Sequence, residues 1–161
     1  MKPICYLLIV VAILLLNSCS SNKEISATEK QLIVEELQKT LDVYAKAFKN
    51  KDIEGIHNFW SKNPDFVFAS DGKLLTDYDS VITYRYPRLF NRLQEVMYFD
   101  YTNGHGTVLS REAASLASNF DIGYVLQSGD TVQFRGTWLF VFKKFDEQWS
   151  VVQSAGTHII Y

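Results

Sequence analysis

Few side chains in this 161-residue chain combine the type and the placement that chemistry needs. The only thiols are Cys5 and Cys19, both within the first nineteen residues. A domain folded from the rest therefore has no disulfide, no thiolate-bound zinc and no cysteine nucleophile. The imidazoles of His57, His105 and His158 are dispersed and never form a His-Glu-x-x-His spacing, so neither a metal nor a cofactor is expected. His57 falls opposite the apolar stripe of a short helix and reads as a surface residue, while His105 lies between two glycines in a loop. Asp100, Asp121 and Arg135 each interrupt a strand pattern. Asp121 shares its face with Asn119 and Gly123 and reads as exposed edge. Turned inward, Arg135 would grip a carboxylate ligand bidentately; turned outward, it is a rim cation. Asp71 precedes Gly72, and an Asp-Gly pair at a strand end is most simply a turn.

The beginning of the chain carries a different chemistry. Lys2 leads into an apolar run from Ile4 to Leu16, closed by Leu16-Asn17-Ser18-Cys19. A cationic start, a run of about thirteen apolar residues and a small-residue end make an export signal. A spanning helix would need about twenty apolar residues. The Leu-Asn-Ser-Cys tetrapeptide resembles the lipobox of bacterial lipoproteins, although Asn17 is an unusual occupant of its slot. That resemblance implies cleavage before Cys19 and lipidation of its side chain. The expected organisation is a signal peptide over residues 1–18, a lipidated polar tether over 19–25 and one domain over 26–161. The expected location is the bacterial cell envelope, held to a membrane through the lipid, with Ser20 rather than Asp favouring the outer membrane.

Charge narrows the partners. The chain has 16 basic and 18 acidic side chains, a formal net charge of −2, and loss of Lys2 makes the mature form one unit more negative. No basic excess exists to neutralise phosphates, so nucleic acid is not an expected partner. The part beyond the tether is long enough for one core held by packing alone.

Periodicity places the elements. Leu32, Ile33, Leu37, Leu41, Tyr44, Ala45 and Phe48 recur at helical steps, with Ser26 or Thr28 as cap. Tyr44 thus faces the core stripe, as a packed phenol or as a donor to a ligand. A short helix starts at Asp52, a strand covers Asp65–Ala69, and a third helical stretch runs from Tyr78 to about Gln94, with a kink or break near Tyr86 because Pro87 lacks a backbone donor. Strands are predicted over Val96–Tyr101, Ala113–Leu126, Val132–Phe145 and Trp149–Tyr161, with Asn103-Gly104-His105-Gly106 as a turn or bulge. Helices followed by a long antiparallel meander define an α+β fold. Around Gly136 the strand is apolar on both faces, which calls for a second subunit or a sheet that curls over itself.

Arg111-Glu112-Ala113-Ala114, the Gly136–Lys144 strand, the Asp146 turn and Trp149-Ser150-Val151-Val152 resemble the NTF2-like superfamily, closest to its SnoaL-like and DUF4440-like branch. Trp60, Asp65 and the Asp71-Gly72 turn agree with that order. The resemblance implies a cone: N-terminal helices packed in a strongly curved antiparallel sheet, a pocket open at one end, and often a homodimer. Relatives resembling ketosteroid isomerase place an Asp base near the end of the first strand, a Tyr donor on the first helix and a protonated acid on a later strand. Here Ser70 falls at the base position with Asp71 one step on, and Tyr44 occupies the helix. Many relatives carry His after the last Trp; this chain has Gln153, Ser154 and Ala155, and the nearest imidazole is His158.

The candidate catalytic groups are therefore Asp71, Tyr44, Asp100 and His158. Aromatics that would line such a cone are Trp60, Phe66, Phe68 and Tyr84 from the first half, and Tyr98, Phe120, Tyr124 and Trp138 from the sheet, with Arg135 among them. Three functions follow: a lipid-anchored protein that binds a small apolar or amphipathic ligand without catalysis, an isomerase or hydrolase, and a homodimeric assembly module.

Overall fold

The structure, a computed structural model, describes residues 24–160. The expected signal peptide, Cys19 and most of the tether lie outside the described residues. Helix α1, Ala27–Lys49, opens on Ser26, whose hydroxyl accepts the Glu29 amide at 3.1 Å. Glu29 in its first turn and Lys46 and Lys49 in its last complement the helix dipole. Its apolar stripe is buried from Ile33 to Phe48, with Leu37 and Leu41 losing all contact with solvent, whereas Leu32 is 56% exposed and lies outside the core. Helix α2, Ile53–Phe59, is capped by Asp52, which accepts the Gly55 amide at 3.0 Å.

The third helical stretch is two elements. A π-helix spans Asp79–Arg85, and helix α3 follows over Tyr86–Arg92. Pro87 stands in the first turn of α3, directly after the π-helix. The winding changes from π to α at Tyr86 while Arg85 and Tyr86 both keep helical backbone, and α3 ends at Arg92, because Leu93 already has extended backbone.

Six strands form one sheet in the order β2-β1-β6-β5-β4-β3. They are β1 (Val67–Ser70), β2 (Lys73–Leu75), β3 (Leu93–Ser110), β4 (Ala113–Leu126), β5 (Thr131–Phe145) and β6 (Gln148–Ile160). Pairing is antiparallel throughout except for β1, which runs parallel to β6 with Phe68 opposite Ser154. Strand β3 continues through the predicted turn at 103–106. The register shifts between Thr102 and His105 and Asn103 adopts a positive φ of 54°, so the segment is a bulge within a strand. Bulges of this kind bend and twist a strand, which suits a sheet that curves around a helix.

Alternation along the strands sorts their side chains. Leu116, Phe120, Ile122, Trp138, Phe140 and Phe142 face the helices and are buried. The convex face carries Leu139, which is 41% exposed, beside Val141. Trp149 on β6 donates its indole N–H to Glu36 at 2.8 Å, tying α1 to the sheet.

Candidate functional site

The helices do not fill the curve of the sheet. A cavity of about 950 Å³ remains between α1, the π-helix, α3 and the concave face. Its inner end is aromatic. Tyr44 stacks on Phe59 with centroids 4.1 Å apart, and its hydroxyl shares a 2.8 Å hydrogen bond with that of Tyr86. Burial, reinforced by the neighbouring Tyr86 and Tyr101, pushes the Tyr44 phenol well above its ordinary pKa. Tyr101 is raised in the same way, chiefly by burial. All three phenols are therefore neutral hydrogen-bonding groups at physiological pH.

The outer end is polar. Asp71 and Gly72 both have positive φ, 49° and 79°, and form the two-residue turn between β1 and β2. Asp-Gly suits that geometry because each residue tolerates the left-handed region. The same turn aims the Asp71 carboxylate across to β6. Oδ1 accepts the His158 main-chain N–H at 2.9 Å, and Oδ2 lies 2.7 Å from His158 Nδ1. Ser70 Oγ donates to Oδ2 at 2.6 Å. The Ser70 hydroxyl first, then the main-chain N–H and ring of His158, hold Asp71 down at about 2. It stays ionised, and an ionised carboxylate facing Nδ1 favours a proton on that ring nitrogen. The His158 ring packs edge-on against Trp138, Phe120 and Phe134, with centroids 5.1–5.6 Å away. Trp138 in turn lies flat over Gly156, where any Cβ would collide with its indole.

The sequence candidates divide cleanly. Asp71, His158 and Tyr44 all line the cavity, with the first two in contact at its mouth. Trp60, Phe68, Phe120, Tyr124 and Trp138 line it as well. Asp100 does not: it alternates with the buried Phe99 and faces outward, opposite Asp121, which in turn stands opposite Arg135. Arg135 therefore sits on the convex face, because Phe134, Trp138 and Phe140 take the inward positions of β5. Tyr98 is outward for the same reason, and its hydroxyl accepts from Gln133 at 3.1 Å. Tyr84 is 57% exposed on the π-helix and does not reach the cavity. Phe66 is buried behind the cavity wall, packed on Trp60 and Tyr78. His57 is half-buried rather than on the surface, with Nε2 lacking a partner among the described residues. His105 is exposed on the β3 bulge.

Sequence reasoning missed Tyr86, Tyr101 and a cationic wall. Arg85, Arg88 and Arg92 line the helical side of the cavity. Their three- and four-residue spacing was a readable signal, since it sets all three on one helical face. Among the described residues no group of His, Cys, Asp and Glu is arranged to hold a metal ion.

Solved structures share this architecture. An NTF2-like superfamily protein from Salmonella enterica serovar Typhimurium superposes with a TM-score of 0.68 at 12% identity, covering 78% of this chain and 90% of its own. A ketosteroid isomerase-like protein from Erwinia carotovora atroseptica gives 0.62 at 16% identity, covering 78% and 95%. An NTF-2 like protein of unknown function from Shewanella oneidensis gives 0.62 at 18% identity, covering 76% and 97%. At such identities the likeness speaks for the fold alone. No curated protein matches the sequence. Residues 37–160 match the SnoaL-like domain. The helices in a curved sheet, the open cavity between them and that match together place the chain in the SnoaL-like family of the NTF2-like superfamily.

Proposed function

We propose that this protein binds a small apolar or amphipathic molecule in its cone and is held at the bacterial envelope by lipid on Cys19. The carrying observation is the cavity itself. About 950 Å³ lined by aromatic rings matches the size and chemistry of a small-molecule pocket, and a structural core would have collapsed around such a void. Filling it tests the reading. Ile122 is buried on the cavity wall, so Ile122→Trp should abolish uptake of the neutral dye N-phenyl-1-naphthylamine while the fold persists by circular dichroism. Unchanged uptake would dispose of the cavity as the site. Native mass spectrometry of the detergent-extracted mature protein reads the acyl mass on Cys19, the subunit count and any retained small molecule.

A second reading, proton transfer, is favoured by one specific contact. The Asp71–His158 pair stands at the cavity mouth with Nε2 of the ring as a base, and the neutral phenols of Tyr44 and Tyr86 lie deeper as potential donors to a developing oxyanion. A base beside an apolar cavity accelerates the ring-opening of 5-nitrobenzisoxazole, a generic probe of proton abstraction. Turnover above buffer that disappears in His158→Gln supports this reading. A wild-type rate equal to buffer ends it.

A further inference from the structure

We propose that the ligand is an amphipathic organic anion, its apolar body among the aromatic rings and its carboxylate or sulfonate-type head held at the mouth by Arg85, Arg88 and Arg92. This rests on the cavity being the binding site and specifies what enters it.

Distribution of charge is the first argument. The chain has five arginines, and three of them fall within residues 85–92. All three line the cavity, whereas no described lysine does. The protein as a whole is net negative, so the cationic mouth is a local feature set against the overall charge. Guanidinium groups present a planar fork of donors that fits a carboxylate or sulfonate, which a lysine ammonium cannot reproduce.

The second argument concerns partners. Lys62 pairs with Asp79, Arg111 with Glu29 and Lys144 with Glu147, while among the described residues no carboxylate forms a salt bridge with any of the three wall arginines. Asp71 is the sole carboxylate among the described residues that line the cavity, and Ser70 and His158 already engage it. Arg85 rests over the Phe68 ring at 5.6 Å, which orients the guanidinium without neutralising it. Like charges at three- and four-residue spacing on a helix repel one another. A bound anion relieves that repulsion.

The third argument is reach. Tyr124 stands on the sheet wall, and burial raises its phenol while Arg92 and Arg85 pull it back. The arginine field thus extends across the cavity from the helical wall to the sheet.

A matched pair of dyes tests the proposal. 8-Anilinonaphthalene-1-sulfonate and N-phenyl-1-naphthylamine differ by the sulfonate alone, and each would be titrated by fluorescence into the chain from Ser20 onward, which keeps every described element. The two should compete for one site per chain. In Arg85→Gln/Arg88→Gln/Arg92→Gln, affinity for the sulfonate should fall about tenfold or more, as expected for losing charged hydrogen bonds, with the neutral dye held within about twofold. Equal changes for both dyes, or none for the sulfonate, overturn the anion assignment and leave the cavity reading standing. Failure of the wild type to take up either dye overturns both. Should the triple variant not fold, the single Arg88→Glu serves: the ratio of sulfonate to neutral affinity falls, or the proposal is wrong.

Discussion

The inner and outer ends of one cavity treat polar groups in opposite ways. At the inner end, Tyr44 and Tyr86 satisfy each other at 2.8 Å and burial keeps both phenols neutral. At the outer end, solvent and three donors keep Asp71 ionised, and arginines gather without carboxylate partners among the described residues. The dielectric surroundings decide the difference. A phenol deprived of water is safe because it need not ionise, whereas a charge survives only where water still reaches it. A ligand that complements both ends must be apolar where it goes deep and polar where it stops.

Substitutions at the two ends should therefore differ in what they cost. The largest effect belongs beneath the inner end, where Phe142 is fully buried in the core. Phe142→Ala should destabilise the domain by about 3–5 kcal/mol in chemical denaturation. Trp138 already faces open space on one side, so Trp138→Ala should cost less despite removing a larger ring. Next comes Tyr44→Phe, which leaves the Tyr86 hydroxyl without its partner in a buried setting. A loss of about 1–3 kcal/mol is expected by the same measurement. A loss near zero would mean that the inner phenols are wet, and the contrast between the ends would vanish.

The smallest effect lies at the mouth. Asp71 has its pKa lowered on folding, so its contribution is present above the unfolded value of about 3.9. It is lost as pH falls through about 2. Wild type and Asp71→Asn should thus differ in thermal stability near pH 5–7 and converge towards pH 2. Because the carboxylate is 48% exposed, the difference should stay below about 1 kcal/mol. A gap that widened on acidification would show that the carboxylate is not held ionised by its neighbours.

Much of the scaffold could be read before any coordinates. The Leu37, Leu41, Tyr44 and Phe48 stripe announces a helix that buries one face, and Asp71-Gly72 announces a tight turn. Inward residues of β4 and β5 follow from strict alternation, and Phe120 and Trp138 on those inward faces line the cavity. Alternation also held the correction for Arg135 and Tyr98, since each neighbours a residue that points inward. The bulge in β3 was harder, because Asn103-Gly104 serves a turn and a bulge equally well.

Local pattern alone determined the helices, the turns, the inward faces of the strands and the absence of a thiol from the domain, because each depends on neighbours a few residues apart. Only the tertiary structure brought Asp71 beside His158, 87 positions away. That contact requires β1 to lie parallel to β6 in one particular register, and a slip of one residue would turn His158 to the other face. Nor could sequence say that the wall carrying Arg85, Arg88 and Arg92 stands off from the sheet and leaves room between them. Empty volume is a property of how elements pack against each other, and it has no residue of its own.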